Sequence, residues 1–251
     1  MCRAFVWIQV GRVRVLGREH LERVSPPLVL AANHVHYADG PILGLIVSAP
    51  ARYLVARGVL RRYGGVGALV LGPWGAIAVD LRKGHGAPAL AAAAQVLTRG
   101  ERLVIFPEGW ANMDGSHRPF KHGAIAAAKA AAEARRSPVW IVPVGIWHNR
   151  LPGAWIARLT PRVQYTLVLL ASLYYRRGAT VAIGEGISSA DLPGDTVEAT
   201  AMLEERVRKL VDEAGQRSGL GRGSGGKVEE AATSDLPEKT RGTRSAESSP
   251  L

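Results

Sequence analysis

Short apolar runs alternate along this chain with alanine-rich stretches. Residues 12–15 (RVRV) alternate apolar and polar with period two and predict an early strand. Residues 27–32 (PLVLAA) are apolar without interruption, the pattern of a strand covered on both faces. Comparable runs at 53–56, 76–79, 103–106, 139–144 and 180–183 predict further strands. Between them, residues 39–47 open with Asp39 as a helix N-cap and Pro41 in the first turn. Residues 88–98 start on a proline and stop at Gly100, residues 123–136 are alanine-rich with a basic end, and residues 196–214 are amphipathic, so each predicts a helix. Strands separated by helices predict an α/β fold: a mixed, largely parallel sheet flanked by helices.

From Gly215 onward the periodicity stops. Residues 215–251 are rich in Gly, Ser and Pro with mixed charge, and bury too little apolar surface to fold. Residues 1–214 are therefore expected to form one domain and 215–251 a disordered tail. The tail holds six basic and five acidic residues, so +10 of the formal net charge of +11 belongs to the folded part. A body this basic suits a polyanionic partner: nucleic acid, an anionic membrane surface or a phosphorylated substrate.

The one cysteine, Cys2, excludes an internal disulfide. No apolar run nears the roughly 20 residues of a spanning helix, so no transmembrane span is expected, and the first ten residues make neither a span nor a secretory signal. Residues 165–175 (YTLVLLASLYY) are about half that length. Buried strand is the commoner origin of such a run; its flanking Arg162, Arg176 and Arg177 also suit a segment at a lipid interface.

Candidate chemistry gathers in two clusters. In the first, Asn33-His34-Val35-His36-Tyr37-Ala38-Asp39, the 27–32 strand ends and the next helix begins, where open α/β sheets place ligands. A carboxylate at the helix start folds back onto an imidazole at the strand end. Hydrogen-bonded to one ring nitrogen of His34, Asp39 would leave the other as general base for a hydroxyl. His34-x-His36 also admits a metal pair, but Ala38 stands where a metal-hydrolase pattern needs an acid, and no metal is expected.

The second cluster is Phe106-Pro107-Glu108-Gly109, followed by Phe120-Lys121-His122-Gly123. With Asn33, His34 and Asp39, with Gly75 to Asp80 (GAIAVD), and with Val142-Pro143-Val144, these boxes occur in an order that resembles the glycerol-phosphate and lysophosphatidate acyltransferases, the PlsC-like family. The resemblance covers about residues 12–190. It implies the fold of the glycerolipid acyltransferases and transfer of a fatty acyl group from acyl-CoA or acyl carrier protein to a hydroxyl of a lipid acceptor, with no cofactor beyond that thioester. His34 would be the general base, oriented by Asp39. Glu108, Gly109, Arg82, Lys121 and Trp110 would shape the acceptor site, Glu108 by hydrogen-bonding acceptor hydroxyls. Lipid substrates imply a peripheral place at the cytoplasmic face of a membrane.

This chain departs from the family after Phe-Pro-Glu-Gly. Trp110-Ala111-Asn112 stands where the family has Thr or Ser and then Arg, so a guanidinium suited to phosphate is missing. The arginine expected at Leu81 comes one place later, at Arg82. Arg57, Arg61 and Arg62, interleaved with Leu60 and Tyr63, suit anionic lipid or the donor's phosphates, or a solvated helix face. An acceptor without phosphate is the first alternative, and a non-catalytic basic lipid- or nucleic-acid-binding protein the second. Nucleic acid is disfavoured because neither a stacking-aromatic RNA motif nor a zinc finger is present.

Overall fold

The uninterrupted run at 27–32 becomes the centre of a sheet. In the computed structural model the described residues are 2–47, 50–57, 75–79, 86–149, 151, 159, 163, 166–167, 170 and 178–218. Along them run α1 (Cys2–Gln9), β1 (Val13–Leu16), α2 (Arg18–Glu22), β2 (Leu28–Ala32), α3 (Asp39–Val47), β3 (Ala51–Ala56), β4 (Ala76–Val79), α4 (Gly86–Thr98), β5 (Arg102–Ile105), α5 (Gly123–Arg135), β6 (Trp140–His148), β7 (Ala179–Ile183), β8 (Ile187–Ser188) and α6 (Thr196–Gln216). The strands form one sheet in the order β1-β7-β6-β2-β5-β3-β4, with β8 pairing β6. Pairing is parallel throughout except where β6 meets β7 and β8. The sheet is mixed and largely parallel, flanked by helices.

Alternation along β2 explains the layers. Leu28, Leu30 and Ala32 face one apolar layer with Ile42, Leu43 and Ile46 of α3. Val29 and Ala31 face the other, with Val96 and Leu97 of α4, Ile125 and Ala128 of α5, and Leu203 and Val207 of α6. Every residue of β2 is buried, which is why the strand shows no polar alternation. Gly145 in β6 lets α6 approach closely, since a Cβ there would lie 2.3 Å from the Leu210 carbonyl carbon. Asp195 caps α6, accepting from the N–H groups of Val197 and Glu198.

Three differences from the sequence reading stand out. The 139–144 run extends as a strand to His148. The last helix runs to Gln216, two residues beyond its predicted end. At its described positions, Val163, Thr166, Leu167 and Leu170, the segment around 165–175 is helical and exposed, not a buried strand. No helix among the described residues is long and apolar enough to cross a membrane. Arg61, Arg62, Arg82, Asp80 and residues 219–251 lie outside the described residues.

Candidate active site

Parallel β2, β5 and β6 are neighbours, so their C-terminal ends open on one edge of the sheet, the edge where such sheets bind ligands. The loops after β2 and β5 and the end of β6 meet there. Asn33 continues the β2 ladder with its side chain: Nδ2 donates to the Ile146 carbonyl at 2.9 Å and Oδ1 accepts from the Ile146 N–H at 2.7 Å. That fixes the point from which His34 leaves the sheet.

His34 is held on four sides. Its Nδ1 lies 2.9 Å from Asp39 Oδ2, and its ring stacks on Phe106 with centroids 4.1 Å apart. Its backbone N–H donates to Glu108 Oε1 at 3.3 Å, and its carbonyl accepts from the Asn112 N–H at 2.8 Å. The side chain is 20% exposed. With Nδ1 engaged, Nε2 is the ring nitrogen left to take a proton.

Asp39 is fully buried. It does not cap α3 as predicted but is the helix's first residue, turned back over the preceding loop. Oδ2 accepts from His34 Nδ1 and from the N–H groups of Val35 and His36, both at 2.8 Å. Oδ1 lies 2.7 Å from His148 Nε2. Burial alone would raise this carboxyl, but the hydrogen bonds and charges of His148 and His34 hold it below the usual carboxylate range, so Asp39 is ionised.

His36 is committed to packing rather than to a metal pair with His34. Its Nδ1 accepts from the Ala38 N–H at 3.2 Å and its ring lies against Tyr37 and His148. Among the described residues no three His, Cys, Asp or Glu form a group able to hold a metal ion. Burial, with His148 nearby, lowers the His36 pKa from 6.5 to about 3. In acid the unfolded chain therefore takes this proton while the folded chain refuses it, and stability falls as pH drops from about 6.5 toward 3. His36 should contribute up to about 1.4 kcal/mol per pH unit to that slope. Urea unfolding midpoints between pH 7 and 4 test this: His36→Asn, whose Oδ1 replaces the acceptor for Ala38, should flatten the dependence, and an unchanged slope would remove His36 as its source.

Glu108 is turned inward, at 3% exposure. Its oxygens are taken by the N–H groups of His34 and Arg118 and by Asn112 Nδ2, with His117 Nδ1 3.7 Å away. Burial pushes its carboxyl up, against those hydrogen bonds and the charge of His117. Glu108 ties the β5 loop to His34. Asn112, in the segment that lacks the family's arginine, is likewise buried and spent on Glu108 and on the His34 carbonyl.

Gly109 turns the chain with φ +75°, and a Cβ there would come within 2.6 Å of Lys121 Nζ. The missing side chain thus lets an ammonium lie against the turn. Trp110 beside it is 40% exposed, and Arg57 is exposed. Glu204 of α6 secures the loop from behind, accepting from the Phe120 N–H at 2.8 Å and lying 3.1 Å from His117 Nε2. Sequence reasoning missed His148 and Glu204, and the inward role of Asn112. The first sits four residues past Val144, two alternations along β6 on the same face, so extending that strand would have placed it at the site's edge.

Residues 12–147 match the acyltransferase family model. The chain belongs to the acyltransferase family. The 1-acyl-sn-glycerol-3-phosphate acyltransferase alpha of Homo sapiens is 35% identical over 119 residues, 45% of this chain and 40% of its own. That of Bos taurus is also 35% identical over 119 residues, 45% of this chain and 39% of its own. The chain thus spans about two fifths of the curated relatives it matches. The crystal structure of the 1-acyl-sn-glycerophosphate (LPA) acyltransferase PlsC from Thermotoga maritima is similar with a TM-score of 0.57 and 24% identity, covering 89% of this chain and 78% of that one. That likeness shows the fold continuing beyond residue 147, where the family match stops. His148 and Glu204 both lie past that stop.

Proposed function

We propose that this acyltransferase moves a fatty acyl group from acyl-CoA or acyl carrier protein to the free hydroxyl of a lysophosphatidate-like glycerolipid. His34 Nε2 removes the hydroxyl proton as the oxygen attacks the thioester carbonyl. The tetrahedral adduct then expels the donor's thiolate, which takes that proton back from His34. The ester and the free thiol form together, and no acyl-enzyme is required. Asp39 holds the proton on Nδ1 and offsets the positive charge that develops on the ring. The observation that carries the reading is the 2.9 Å bond from His34 Nδ1 to a buried, ionised Asp39, in a chain of this family.

Lys121, over Gly109, is the cation assigned to the acceptor's phosphate, in place of the absent arginine. Replacing it with Gln should raise KM about tenfold for lysophosphatidate and leave monoacylglycerol unaffected. An equal effect on both acceptors would detach Lys121 from the phosphate. A phosphate-free acceptor is the second reading, favoured by the neutral Trp110-Ala111-Asn112 segment. Purified chain assayed with labelled acyl-CoA against lysophosphatidate, monoacylglycerol and other lysophospholipids decides between them: preference for lysophosphatidate supports the first reading, and preference for monoacylglycerol the second. Exposed Trp7, Trp110 and Leu170, with the basic Arg57, Arg61 and Arg62, suit work at an anionic membrane surface, on its cytoplasmic side.

A further inference from the structure

Asp39 is shared by two imidazoles, and the reaction proposed above employs one. His148, at the end of β6, is 4% exposed in its side chain and 109 residues from the carboxylate it meets. An ionised carboxylate only accepts, so at 2.7 Å His148 Nε2 carries the hydrogen and donates it. The division of labour on Asp39 is uneven: Oδ2 takes three donors, whereas Oδ1 takes His148 alone among the described residues. We infer that His148 is a positioning residue for the catalytic pair, fixing the plane of the Asp39 carboxylate so that Oδ2 stays aligned on His34 Nδ1. This rests on His34 being the general base.

Two effects follow from removing that donor. The carboxylate gains freedom to rotate away from His34, which slows transfer. It also carries its negative charge less shared, so it pulls harder on the Nδ1 proton and makes His34 a stronger base. Among the described residues, the other ionisable groups around this centre are His36 from the turn, whose ring packs against His148, and Glu108 with His117 behind it from the β5 loop; His148→Leu and His148→Gln both remove the imidazole beside His36, so the difference between the two variants isolates the N–H donated to Asp39.

Rates measured from pH 5 to 9 with acyl-CoA and lysophosphatidate-bearing vesicles, for wild type, His148→Leu and His148→Gln, test the inference. His148→Leu should lower kcat about tenfold, hold the acceptor KM within about twofold, and move the acid limb of the profile to higher pH. His148→Gln, which keeps an N–H donor, should recover most of the rate and return the limb. An unshifted limb in His148→Leu, or a loss that Gln does not rescue, reduces His148 to packing and overturns the inference. Ring-nitrogen NMR of the wild type needs no substrate and no variant to fold. It should find the proton on His148 Nε2 and on His34 Nδ1, and a His148 protonated on Nδ1 alone overturns the inference. Absence of transfer by the wild type would instead count against the proposed function, leaving the NMR result to stand by itself.

Discussion

Replacing His34 with alanine should cut acyl transfer by at least about a hundredfold while the protein stays folded. The side chain is partly exposed, and its loss removes one ring stack on Phe106 and one hydrogen bond to Asp39. Those contacts are worth about 2–4 kcal/mol together, less than the 5–15 kcal/mol typical of a domain. Backbone ties to Glu108 and Asn112 survive the change, so the loop around position 34 keeps its shape. The two readouts separate: transfer collapses, while the unfolding midpoint falls but the protein stays folded. Transfer at the wild-type rate from a folded His34→Ala would remove the base from the mechanism.

Asp39 should have the opposite profile, because the proposed catalysis and stability meet on it. Asp39→Ala leaves the N–H groups of Val35 and His36 and the Nε2 of His148 without their acceptor inside the protein. Each buried donor so abandoned costs about 1–3 kcal/mol, and a cavity adds to the sum. A loss of roughly 5 kcal/mol is expected, enough to leave the chain insoluble or largely unfolded. Asp39→Asn keeps the volume but offers one accepting oxygen where four donors converge, so it should fold with a lowered midpoint and transfer about 10³-fold more slowly. Soluble expression and thermal unfolding, read beside the assay, check the pair. A stable Asp39→Ala would mean that the hydrogen bonds drawn onto this carboxylate do little for the fold.

The contrast between these two residues shows what the sequence carried. The His34–Asp39 pair was legible because it is local: a strand end and a helix start five residues apart leave little geometric choice. The parallel sheet was legible from the unbroken apolar runs, above all 27–32. Phe106 to Gly109 was tied to His34 only through the order of family boxes. The structure gives the physical link, a shared sheet edge where Phe106 carries the His34 ring and Glu108 holds its backbone.

Elsewhere the sequence withheld direction. Trp110-Ala111-Asn112 read only as a segment lacking a phosphate-binding arginine, yet after the turn at Gly109 Asn112 points inward to Glu108. His148 was hidden because its partner is 109 residues away, and only the β2–β6 pairing brings them together. Asp39 looked like a helix cap because capping uses the same residue type at the same place; three backbone and side-chain donors in the preceding loop decided otherwise. The 165–175 run was apolar enough for a buried strand, but its described residues, Thr166, Leu167 and Leu170, are helical and exposed.

One measurement bears on the central claim most directly: a single-turnover reaction of purified wild type with radiolabelled acyl-CoA or acyl carrier protein and lysophosphatidate, followed in both the lipid and the protein fractions. Label passing into diacyl lipid, with none retained covalently on the protein and with the step abolished in His34→Ala, is the expected result. Label that stays on the protein, or diacyl product formed equally well without the His34 imidazole, would contradict direct base-assisted attack by the acceptor.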